Sequence, residues 1–126
     1  MSPKTILILG ALISGLGVMI GAFGAHGLKD ILAVTNRTET FETAVKYQMY
    51  HALGLLLVGI LITHFPAITG MKITGICFLI GILIFSGSLY ILSVTGITWL
   101  GAITPIGGLF LIAGWLNLVW VLAKNL

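Results

Sequence analysis

Three side-chain carboxylates, Asp30, Glu39 and Glu42, share one short polar stretch, and two of the three histidines, His26 and His51, flank it. A carboxylate near an imidazole can move protons. Histidine and carboxylate together can also ligate zinc. Any charge-based chemistry therefore has one main address. A metal reading would use His26 and His51 with Glu39 or Glu42, but zinc sites favour compact ligand spacings and no HxxxH, CxxC or HExxH pattern is present. A bis-histidine haem between the first two spans lacks a motif for the same reason. Cys77 is the lone cysteine and allows neither an internal disulfide nor a multi-cysteine site. No cofactor is implied.

The elements that must position these groups are membrane helices. The chain is 59% hydrophobic and 7% charged, with a mean hydropathy of +1.20. Soluble domains carry roughly 25% charged residues, so this chain cannot build a polar outer face. Four apolar segments, residues 5–25, 47–63, 73–93 and 102–123, contain no Asp, Glu, Lys or Arg. Backbone polar groups in lipid must be satisfied within the segment, which dictates helices. The expected fold is an all-α integral membrane protein: four transmembrane helices in an antiparallel bundle, forming one domain over residues 1–126. The first segment is too long for a signal-peptide apolar region and reads as a span.

The second span is expected to extend outward into the interface. Asn36 and Glu39 have the spacing of a capping box, and Glu42 precedes Lys46 by one helical turn. Phe41, Ala44, Val45 and Met49 form one apolar stripe. A helix from Arg37 to Thr63 would be about 40 Å long, beyond the roughly 30 Å hydrocarbon core. His64-Phe65-Pro66 ends it. Pro105 suits the first turn of the fourth span.

Antiparallel spans bring distant polar residues to one end. His26 closes the first span, Tyr47, Gln48, Tyr50 and His51 open the second, Ser86, Ser88 and Tyr90 close the third, and Thr104 opens the fourth. Together they form a candidate polar cluster beneath the acidic stretch, with His51 expected to be shallow. Its bland role is interhelical hydrogen bonding that sets register. Its functional alternative is a ligand or proton site, as in a small transporter or channel. A histidine-based membrane enzyme lacks a nucleophile-plus-base pattern. The opposite half offers little polarity beyond His64. Gly10, Ser14, Gly17, Gly21 and Gly24 form a small-residue stripe for close helix packing, against another span or a second subunit. Trp115 reads as a packing residue.

The six basic residues are scattered over loops and ends, so nucleic acid is not an expected partner. Membrane lipids, a second copy of the chain or another membrane protein are. Lys4, Lys72 and Lys124 lie at one end, and Lys29, Arg37 and Lys46 at the other. The positive-inside count is tied. The expected placement is a bacterial cell membrane with both termini cytoplasmic.

The runs Gly21-Ala22-Phe23-Gly24-Ala25-His26-Gly27-Leu28, Ala44-Val45-Lys46-Tyr47-Gln48-Met49-Tyr50-His51-Ala52, Phe85-Ser86-Gly87-Ser88-Leu89-Tyr90, Thr104-Pro105-Ile106-Gly107-Gly108 and Gly114-Trp115 resemble the YwdK/YgdD membrane family. That resemblance implies a small, mostly bacterial multi-span protein with eukaryotic relatives. It implies no known reaction, substrate or cofactor, so no functional residue is carried over from it. Small multidrug transporters share the size but depend on a carboxylate in the first span, which is absent here.

Overall fold

The structure is a computed structural model describing residues 1–126. Five α-helices carry the chain: α1 (Pro3–His26), α2 (Lys29–Thr35), α3 (Thr38–His64), α4 (Met71–Thr95) and α5 (Thr104–Asn125). A 3-10 turn at Thr98–Ala102 precedes α5. α1, α3, α4 and α5 are long and apolar enough to cross a membrane. With 27 residues, α3 is about 40 Å long and outreaches the hydrocarbon layer. The extended second span is thus present.

The antiparallel helices pair most closely in the order α1, α3, α4, α5. Burial follows the logic of lipid rather than water. Ile6, Leu55, Val58, Phe78 and Val121 fill the centre. Val18 and Met19 of α1, Leu83 of α4 and Leu116 and Val119 of α5 face outward. Water would penalise that outer shell, whereas lipid tails accept it at little cost.

Missing side chains let the helices approach. Four glycines of α1 lie against α3: Gly10 against Leu56 and Ala52, Gly17 against Met49, Gly21 against Val45 and Gly24 against Phe41. The small-residue stripe therefore has an intramolecular partner. Ser14 turns its hydroxyl back to the Gly10 carbonyl at 2.8 Å. At the other seam Gly81 receives Leu111, Gly107 receives the Phe85 backbone, and Gly114 receives Phe78.

The acidic stretch is organised differently from the capping-box expectation. Asn36 does not open α3. It closes α2 in the left-handed region, at φ 55° and ψ 42°. Asn36 N–H donates to the Ala33 carbonyl (3.2 Å) and Arg37 N–H to the Leu32 carbonyl (3.0 Å), the two bonds of a Schellman ending. Arg37 takes the N-cap position of α3 without a side-chain cap. The short polar side chain of asparagine suits both ends of a helix. Here α2 takes the residue at its C-terminal end.

Leu32 of α2 is buried, and Thr35 donates its hydroxyl to the Ser93 carbonyl at 2.7 Å. Ser93 belongs to the last turn of α4, whose carbonyls have no amide above them. One bond therefore satisfies an orphan acceptor and pins α2 across the bundle end.

A methyl group at Gly107 would lie 2.8 Å from the Phe85 Cα, while one at Gly15 would meet nothing within 4 Å. Gly107→Ala is expected to destabilise by about 1–3 kcal/mol through overpacking. Gly15→Ala should leave the detergent unfolding transition unchanged. Equal effects of the two variants would contradict this packing account.

Candidate functional site

The polar residues meet on one face of α3. Gln48 and His51 are one turn apart and both buried. Gln48 donates its amide to the Ile13 carbonyl of α1 at 3.0 Å and accepts the Tyr90 hydroxyl of α4. The Ile13 carbonyl already serves its own helix, so the new bond uses the second lone pair of the oxygen. Gly17, one turn further along α1, makes that lone pair reachable. A Cβ there would sit 3.4 Å from Gln48 Nε2 and in direct contact with Met49. The glycine stripe and the polar cluster are thus one device.

His51 lies deeper than its place in the cluster suggested. It falls near the middle of α3, thirteen residues beyond Thr38, or about 20 Å along the axis. Its Nδ1 is 2.8 Å from the Tyr47 carbonyl. Its Nε2 accepts from Trp115 Nε1 of α5 at 3.0 Å. The carbonyl can only accept and the indole N–H can only donate. These partners therefore select the neutral imidazole with hydrogen on Nδ1. Phe78 stands edge-on to the ring, with centroids 5.2 Å apart, and the space for Phe78 comes from Gly54.

Ser86 joins α4 to α3 through the Ala44 carbonyl at 2.7 Å. Ser88 meets Thr104 of α5 at 2.6 Å between hydroxyl oxygens. Of the candidate residues, Gln48, His51, Ser86, Ser88, Tyr90 and Thr104 thus make side-chain bonds between elements. Tyr47 takes part through its carbonyl, while its ring packs on Phe85 with centroids 4.5 Å apart. Tyr50 is 56% exposed and leans on Tyr47, outside the network. His26 is exposed at the end of α1 and does not join His51. Helix ends share a membrane level, but His26 turns outward, and both nitrogens of His51 are already bonded.

Two contributions escaped the sequence reading. Trp115 supplies the indole donor to His51 rather than only bulk. Trp115 falls at the middle of α5, as His51 does of α3, so matching helix midpoints was an available signal. The opposite half also holds a polar clamp. Asn117 donates to the Gly70 carbonyl at 3.0 Å and to Thr74 Oγ1 at 2.9 Å. Gly70 has φ 101°, which favours glycine in this turn.

Comparison with known proteins assigns the chain to a family. The family described as "Protein of unknown function (DUF423)" matches residues 20–108. The chain belongs to the DUF423 family. A UPF0382 membrane protein of Staphylococcus haemolyticus is 48% identical over 118 residues, covering 92% of this chain and 93% of that protein. The UPF0382 membrane protein YwdK of Bacillus subtilis is 46% identical over 123 residues, covering 98% and 99% of the two chains. A UPF0382 membrane protein of Staphylococcus aureus strain USA300 is 46% identical over 118 residues, with 92% and 93% coverage. No solved structure matches. This DUF423 protein is therefore a small integral membrane protein of a family without an assigned biochemical role.

Trp115→Phe keeps the aromatic bulk but removes the donor to His51. The expected loss is about 0.6 kcal/mol and at most about 1.7 kcal/mol, the span measured for interhelical bonds in membranes. Nitrogen-15 NMR of the wild type should show His51 protonated on Nδ1. An Nε2–H tautomer would contradict the assigned network.

Proposed function

We propose that this DUF423 protein is a non-enzymatic, lipid-associated structural unit of the cell membrane, with a polar network that holds its helices in register. One observation carries the proposal: every buried side-chain nitrogen and oxygen has a hydrogen-bond partner within the chain. A catalytic base or substrate-binding group needs an acceptor or proton turned toward its substrate. The lone pair of His51 Nε2 is instead occupied by Trp115, and Gln48 is held from two sides. The three carboxylates stand outside the network. Transport through this cluster would require these bonds to open.

Lipid association is supported by a lateral groove of about 460 Å³ between α1 and α4. Leu9, Ile13 and Leu16 form one wall, Leu79 and Leu83 the other, and Gln48 and Ser86 line its polar part. The volume falls within the range of small-ligand sites. Its apolar walls suit an acyl chain. The proposed placement puts both termini on the cytoplasmic side. Each end carries three Lys or Arg, but only the end holding the termini lacks Asp and Glu, so its net positive charge suits an anionic inner leaflet. A reporter fused after Leu126 should be active only in its cytoplasmic form, and periplasmic or extracellular activity would reverse the placement.

The register role separates the two cluster histidines. His51→Ala is expected to lower the detergent unfolding midpoint, whereas His26→Ala should not. A double-mutant cycle between Gln48→Leu and Tyr90→Phe should return a coupling of about 0.6–1.7 kcal/mol. Zero coupling together with an unchanged midpoint in His51→Ala would sink the proposal.

A further inference from the structure

At the end opposite the acidic stretch, a pocket of about 550 Å³ opens between the start of α1, the end of α3 and the start of α4. Ser2, Lys4, Thr63, Thr69, Gly70 and Lys72 line it. We propose that this pocket binds the phosphate headgroup of an anionic phospholipid. Lys4 and Lys72 are far apart in sequence, and only the fold brings them to line one pocket.

Charge distribution sets the sign of the ligand. All three side-chain carboxylates, Asp30, Glu39 and Glu42, belong to the other end of the bundle, so no Asp or Glu competes for these lysines. The third lysine at this end, Lys124, lies over the Trp120 ring at 4.9 Å from its centroid, leaving Lys4 and Lys72 as the pair at the pocket. The hydroxyl of Thr69 adds a neutral donor at the rim, whereas Thr63 is turned to the Gly59 carbonyl and Ser2 caps α1. The first turn of α4 adds amides, because its N-cap is Gly70 and no side chain caps it. Glycine is kept there by the left-handed turn, and Asn117 binds the Gly70 carbonyl.

Location sets the source of the phosphate. Lys4 and Lys72 stand in the first turns of two membrane-spanning helices, the level at which lipid headgroups lie. Pro66 and Ile68 give the pocket an apolar side that accommodates the glycerol and upper acyl region. A basic group near an anionic membrane surface contributes roughly a fivefold gain in binding. Two acting together give about 25-fold.

The site is separate from the polar network and does not depend on the register role proposed for it. The test uses the full chain in detergent, with lipid retention measured by native mass spectrometry. The probes are phosphatidylglycerol and phosphatidylcholine with identical acyl chains. Wild type should favour phosphatidylglycerol by about 25-fold, and Lys4→Gln/Lys72→Gln should reduce the preference to about twofold or less. Lys4→Arg/Lys72→Arg should keep it, as should the far-end control Lys29→Gln/Lys46→Gln. A circular dichroism melt of each variant distinguishes loss of the site from loss of the bundle.

Absence of preference in wild type, its survival in Lys4→Gln/Lys72→Gln with an unchanged melt, or its equal loss in the far-end control would each overturn the assignment. If inorganic phosphate alone stabilises the wild type as much as phosphatidylglycerol does, the ligand is a free anion and the lipid assignment fails.

Discussion

The hydrogen bonds of Gln48 join two demands that lipid places on a helical protein. Helices associate there by close packing, because the surrounding hydrocarbon supplies no hydrophobic drive between them. Polar groups must also find partners within the protein, because no water reaches them. Gln48 reaches the Ile13 carbonyl of α1 beside Gly17, a site that a larger residue would crowd. Its other end accepts Tyr90 from α4. One side chain thus fixes the rotation of α3 against both neighbours. The Trp115–His51 bond extends the same constraint to α5.

The two ends of the bundle have opposite characters. At one end, α2 lies against α1, α3 and α4, and Thr35 is fastened to Ser93. All three carboxylates gather there beside Lys29, Arg37 and Lys46, so formal charge cancels. At the other end, Lys4, Lys72 and Lys124 have no side-chain carboxylate among them. Between these ends the network is neutral. This arrangement keeps formal charge out of the hydrocarbon, where it is expensive, and gives the headgroup regions two different surfaces.

Much of the architecture was legible in the sequence. Apolar segments without charge define spans, and the stripe from Phe41 to Met49 carries α3 beyond the membrane. Pro105 lies in the first turn of α5 as expected. The small helix α2 was not legible, because Lys29–Thr35 is too short to display a helical period. Missing it reversed the role of Asn36. The polar cluster was legible as a level, since antiparallel helices bring His26, Tyr50, His51, Tyr90 and Thr104 toward one half. It was not legible as a set of contacts: His26 and Tyr50 turn outward, His51 sits near the middle of α3, and Trp115 joins from a residue read only as packing.

The division has a physical basis. Hydropathy and length by themselves determined a membrane bundle of four spanning helices, because transfer of charge and backbone into lipid is decided locally along the chain. Residue number also determines approximate depth, at a fixed rise per residue. Tertiary structure decided azimuth: how far each helix is rotated about its axis, and therefore which side chains at one depth meet. That rotation depends on where glycines admit a neighbour and on which donors can reach acceptors, both properties of helix pairs. It is why Gln48 meets Tyr90 and His51 meets Trp115, while the three carboxylates remain outside these bonds.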